Sequence, residues 1–113
     1  MDKSNYELGF DARCNGQYGM AKIYLNMVQA GDPDYVNAQW QLGLIMGFEG
    51  DFDGSLASLA KIVAENPDHV NARFDLGMTY MMLGEQDKAC SQFREVLDRE
   101  PGHEKALQQI TWC

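Results

Sequence analysis

Between residues 70 and 103 the apolar positions follow a helical rhythm twice. Ala72, Leu76, Met78, Tyr80 and Leu83 mark one helix, and Ala89, Phe93, Val96 and Leu97 mark a second. Gly84 lies between them, where glycine tolerates the left-handed geometry that ends many helices. Glu85 follows, at a position where a carboxylate favours a helix start. Pro101 stops the second helix. The same layout recurs upstream every 34 residues, at Leu8-Gly9, Leu42-Gly43 and Leu76-Gly77, at Gly16, Gly50 and Gly84, and at Pro33, Pro67 and Pro101. Units 2–35, 36–69 and 70–103 align without insertion, and residues 104–113 begin a further copy with Ala106, Leu107 and Ile110 on one face. Gly9, Gly43 and Gly77 fall in mid-helix, where glycine costs about 1 kcal/mol against alanine. Their recurrence predicts a neighbouring helix close to each.

Within the third unit, Leu76, Gly77, Tyr80, Gly84, Ala89, Phe93, Val96 and Pro101 match the pattern of the tetratricopeptide repeat, and the chain resembles that family. The second unit follows with Leu42, Gly43, Met46, Gly50, Ser55, Leu59, Ile62 and Pro67, and the first with Leu8, Gly9, Ala12, Gly16, Ala21, Leu25, Val28 and Pro33. The resemblance implies an all-α, right-handed superhelical solenoid. It would hold three antiparallel helix pairs and a C-terminal capping helix (104–113), in one domain spanning 1–113. The sequence departs from the family where a tryptophan is frequent: Asn5, Gln39 and Arg73 stand there. Ala12 and Leu25 replace aromatic residues in the first unit, whose helices are therefore expected to fray first.

In this family the first helices of successive units line a concave groove. Carried over, the resemblance assigns to a peptide-binding groove Tyr6 and Phe10, then Asn37, Trp40, Gln41, Leu44 and Phe48, then Asn71, Phe74, Asp75, Met78 and Met82. Tyr6, Trp40 and Phe74 occupy one repeat position, where an aromatic either meets the ligand or packs between units. Phe10, Leu44 and Met78 form an apolar stripe of the kind that marks an interface. Met78, Met81 and Met82 add an adaptable surface. The amides of Asn37, Gln41 and Asn71 can each donate to and accept from a peptide backbone. Some family members grip a terminal carboxylate with basic residues and asparagines. The matching positions here are Tyr6, Phe10, Gln41, Asn71 and Asp75; none is basic, and Asp75 would repel a carboxylate. Binding of acidic heat-shock-protein tails is thus not expected.

The 113 residues fit one domain, and their net charge of −8 opposes nucleic acid and anionic membranes as partners. The second unit holds Glu49, Asp51, Asp53, Glu65 and Asp68 against Lys61 alone, which serves solubility or faces a basic partner segment. Cys14, Cys90 and Cys113 are odd in number and unpatterned in spacing, which predicts reduced thiols in a cytoplasmic protein. No basic run precedes an apolar core near the N-terminus, so no signal peptide is expected, and no apolar run is long enough for a membrane span. The acids from Glu49 to Asp53 resemble a calcium loop, but Ala60 stands where the bidentate glutamate belongs. His69 and His103 lie a full repeat apart, a poor metal or catalytic pair, and no histidine is spaced to activate Cys14. No phosphate loop occurs. The expectation is a protein–protein interaction module with no catalytic residues, metal or cofactor, holding an apolar or amphipathic segment. The alternatives are a self-associating scaffold and a holdase-like chaperone.

Overall fold

A computed structural model describes residues 2–113. The described residues form seven helices and no strand: α1 (Asn5–Cys14), α2 (Tyr18–Asn26), α3 (Tyr35–Phe48), α4 (Phe52–Glu65), α5 (Val70–Met82), α6 (Gln86–Arg99) and α7 (Glu104–Ile110). Two helices fall in each sequence unit, and α7 occupies the C-terminal remnant. Each second helix packs against its own partner and against the next first helix, while α1, α3 and α5 also touch side by side. The molecule measures 44 × 27 × 22 Å with a radius of gyration of 14.4 Å. A compact chain of this length would have a radius of about 13 Å. The elongation is that of a stack in which each pair meets only its neighbours.

The repeated glycines have two physical roles. Gly50 and Gly84, with φ of 90° and 76°, turn the chain between the helices of their pairs, and Gly16 does the same. Gly9, Gly43 and Gly77 instead admit a side chain from the second helix of the same pair. A Cβ at Gly77 would lie 2.7 Å from the Phe93 ring, and one at Gly9 would lie 2.6 Å from Leu25. Leu25, Leu59 and Phe93 are thereby fully buried and, with Ile45 and Val96, form the centre of the core.

Four of the seven helix starts carry a side-chain cap. Ser4 and Glu7 form a reciprocal capping box on α1, and Asp51 accepts from the Gly54 amide on α4. Glu85 makes no cap bond and instead pairs with Lys88 at 3.0 Å. His69 and His103 cap α5 and α7, each Nδ1 accepting from the amide three residues on, Ala72 or Ala106. The two histidines are thus repeat-equivalent structural caps. Arg73 is only 8% exposed. Its guanidinium donates to the Pro67 carbonyl and to Gln92, both at 3.1 Å, tying an inter-repeat turn to α6.

Two sequence expectations need correction at the C-terminal end. Cys90 and Cys113 form a disulfide across 23 residues, with Cα atoms 5.9 Å apart; only Cys14 is free. The expectation of reduced thiols fails because α7 folds back along α6 and delivers the chain end to the buried Cys90. That return is a tertiary event with no trace in cysteine spacing. In α7, Ala106 is buried and Ile110 partly so, but Leu107 is exposed and does not join the covering face.

Candidate functional site

Helices α1, α3 and α5 carry all twelve candidate residues, but in different states. Leu44 and Met78 are half-buried, and Met82 is 64% exposed. With Phe48, Phe52 and Phe74 they line a mostly apolar cleft of about 320 Å³ between α3 and α5. A second cleft of about 520 Å³ adjoins it toward the N-terminal end of α5, lined by Trp40, Asn71, Phe74, Asp75, Glu104 and Lys105 among others. Phe74 and Asp75 belong to both clefts.

Phe10 and Phe48 are exposed and flank Arg13, whose guanidinium lies 5.3 Å and 5.9 Å from their ring centres. Phe48 also stacks on Tyr18 of α2 at 5.8 Å. Tyr6 is half-buried against Phe10, and burial pushes its phenol pKa up. These residues form an aromatic edge beside the apolar cleft.

The repeated aromatics have a double role. Trp40 packs edge-on against His69, and Phe74 stacks on His103, each at 5.2 Å. The rings therefore brace the histidine caps of the next unit, yet both still line the upper cleft. The Trp40 indole N–H donates to Asp75 Oδ2 at 2.7 Å, linking α3 to α5. Burial pushes the Asp75 carboxyl above its ordinary pKa, and the indole donor partly opposes this.

The three amides divide. Asn71 is exposed at the upper cleft. Asn37 Oδ1 is 3.0 Å from His69 Nε2. Because His69 Nδ1 accepts from an amide, the ring proton sits on Nε2 and is donated to Asn37. Burial lowers the His69 pKa, in keeping with this neutral form. Gln41 is 1% exposed, and its Oε1 has no partner among the described residues. Its side chain is within hydrogen-bonding reach of the Tyr6 phenol on α1, and at this burial it does not edge an open groove.

Sequence reasoning overlooked Phe52, which the Gly50–Asp51 turn brings from α4 to the cleft floor, and Glu104 and Lys105 from α7. The aromatic following the turn was the available signal for Phe52. The α7 residues required the fold-back of the cap. No three His, Cys, Asp or Glu side chains converge into a metal site among the described residues. Nor is any described helix long and apolar enough to cross a membrane.

Stacked helix pairs with a groove along their first helices define an all-α repeat solenoid. The tetratricopeptide repeat profile matches residues 49–111, and the chain belongs to the tetratricopeptide repeat family. Among solved structures, MamA is similar with a TM-score of 0.80 and 24% identity, over 94% of this chain and 62% of that one. YrrB, described as a TPR protein with an unusual peptide-binding site, gives 0.79 and 25% over 95% and 57%. The second TPR domain of human RPAP3, solved in complex with the HSP70 peptide SGPTIEEVD, gives 0.81 and 17% over 96% and 91%. The chain thus spans about three fifths of the length of MamA and YrrB. A search of curated proteins found no match.

Proposed function

We propose that this chain is a non-catalytic protein-interaction module that holds an apolar or amphipathic peptide segment along α3 and α5. The carrying observation is the apolar cleft of Leu44, Phe48, Phe74, Met78 and Met82, open to solvent beside an aromatic edge. An open apolar surface of this kind favours a partner over water. Peptide binding by YrrB and by the RPAP3 domain supports the class of function. It does not extend to the RPAP3 ligand, because Asp75 and the absence of a basic residue at Tyr6, Phe10, Gln41 and Asn71 disfavour an acidic tail.

Replacing Leu44 and Met78 together by glutamate places charge in the cleft. Titration with blocked peptides carrying one leucine should lose at least tenfold in affinity, with circular dichroism unchanged. Unchanged affinity sinks the groove reading. The Cys90–Cys113 pair withdraws the thiol argument for a cytoplasmic location, since such bonds persist mainly in oxidising compartments.

A second reading, self-association, rests on α2. Met20 and Ile23 on α2 and Met27 just past its end are all exposed, at spacings of one and two helical turns. Light scattering over a concentration range, on the parent and on Ile23→Lys, tests it. A parent chain that stays monomeric throughout rules that reading out.

A further inference from the structure

The two adjoining clefts differ in chemistry while sharing Phe74 and Asp75. The lower one is apolar. The upper one sets three carboxylates, Asp75, Glu100 and Glu104, against the single ammonium of Lys105, beside the Trp40 and Phe74 rings. Aromatic faces next to carboxylates suit an organic cation, which gains from both the ring quadrupole and the charge. Asp75 is the central group. Its Oδ2 accepts from the Trp40 indole, which fixes the carboxylate in place, and no described donor bonds to Oδ1. An apolar or anionic group covering it would bury that oxygen without a donor, which is costly for a charged group, whereas a cation supplies both a donor and the opposite charge.

We propose that the groove reads a two-part segment: a lysine or arginine side chain seated over Asp75 and Trp40, and an apolar side chain two residues away seated between Leu44, Met78 and Met82. This rests on the peptide-binding reading above. Geometry sets the spacing. On α5 the upper cleft is lined by Asn71, Phe74 and Asp75, and the lower by Phe74, Asp75, Met78, Thr79 and Met82. Their mean positions along the helix differ by about four residues, roughly 6 Å at the helical rise. Alternate residues of an extended peptide point the same way and stand roughly 6.6 Å apart. Lys105 is the cation that lines this cleft in the free protein, and its charge, with that of Arg13, acts on Asp75.

The test uses blocked synthetic peptides with Lys-Ser-Leu or Leu-Ser-Lys at the centre, compared with versions carrying Gln for Lys and Gln for Leu. The indole N–H resonance of Trp40 is the site-specific reporter, and that of Trp112, outside both clefts, is the control. At least one Lys-containing order should shift Trp40 and bind about tenfold more tightly than its Gln-for-Lys version. Asp75→Asn, which keeps an acceptor for the indole, should erase that preference. Lys105→Gln, on an exposed residue, should enlarge the preference and serves should Asp75→Asn fail to fold. Equal binding of the Lys and Gln versions by the parent chain overturns the cation subsite, as does a preference that neither variant alters. Loss of discrimination between Leu and Gln instead overturns the underlying groove reading.

Discussion

Gly77 and Gly43 occupy the same repeat position with unequal room. A Cβ at Gly77 would press to 2.7 Å on the edge of the buried Phe93 ring, whereas one at Gly43 would meet Leu59 at an ordinary 3.4 Å. Overpacking of a closed core costs typically 1–3 kcal/mol, against about 1 kcal/mol gained in helix propensity. Gly77→Ala should therefore lower the denaturation midpoint, and Gly43→Ala should leave it unchanged or raise it. Equal effects would show that Phe93 yields freely. These glycines were legible in the sequence because the same exception appeared in every unit. Gln41 and Arg73 were not, since each sits at one site where local packing decides whether a polar group is buried.

Two titrating side chains at the same interface pull stability in opposite directions. The His69 pKa is lowered by burial, so below about pH 6.5 the unfolded chain takes up protons more readily than the folded one. Its contribution is complete above that pH and is lost as pH falls toward the folded-state value. The Asp75 carboxyl is raised above its ordinary value by burial, so acidification through its folded value favours the native state. Chemical denaturation over this range should show the parent losing stability below about pH 6.5 while His69→Gln loses less. On further acidification, the parent should gain relative to Asp75→Asn. A parent-to-His69→Gln difference that is flat with pH would remove the neutral cap from the account.

At the scale of elements, α7 is the part least able to stand alone. It has seven residues, fewer than a helix in water needs for stability by itself. It is held by its His103 cap, by buried Ala106, by the Gln86 side chain donating to the Trp112 carbonyl at 2.7 Å, and by the disulfide. In the chain-entropy description, closing a loop of this length stabilises by about 3 kcal/mol. Cys113→Ser should lower stability by about that amount. A reductant should bring the parent to the same level and leave the variant unmoved. A parent insensitive to reductant would show that the cap holds without the bond. The amphipathic remnant revealed that a helix follows the third pair. The side of α6 on which it ends depends on its crossing geometry, which leaves no mark in residue spacing.

Across the whole molecule, the two ends of the stack are secured unequally. α5, α6 and α7 are joined by the Arg73 bridge, two histidine caps and the disulfide. The opposite end has α1 with 10 residues and α2 with 9, compared with 13 or 14 in the later pairs. α2 has no side-chain cap bond, and Met20 and Ile23 on it and Met27 just past its end are left uncovered. In a stack stabilised by nearest-neighbour contacts, an end pair with short helices opens at lower free energy than the centre. Native-state hydrogen exchange should therefore release α2 and α1 amides first and α5 and α6 amides last. Reduction of Cys90–Cys113 should add α7 to the early group and leave the α1–α2 rates unchanged, because α7 packs on α6 whereas α1 and α2 pack on each other and on α3. Uniform exchange through all three pairs would mean that the stack opens as one unit, and the difference in helix length would then carry no energetic weight.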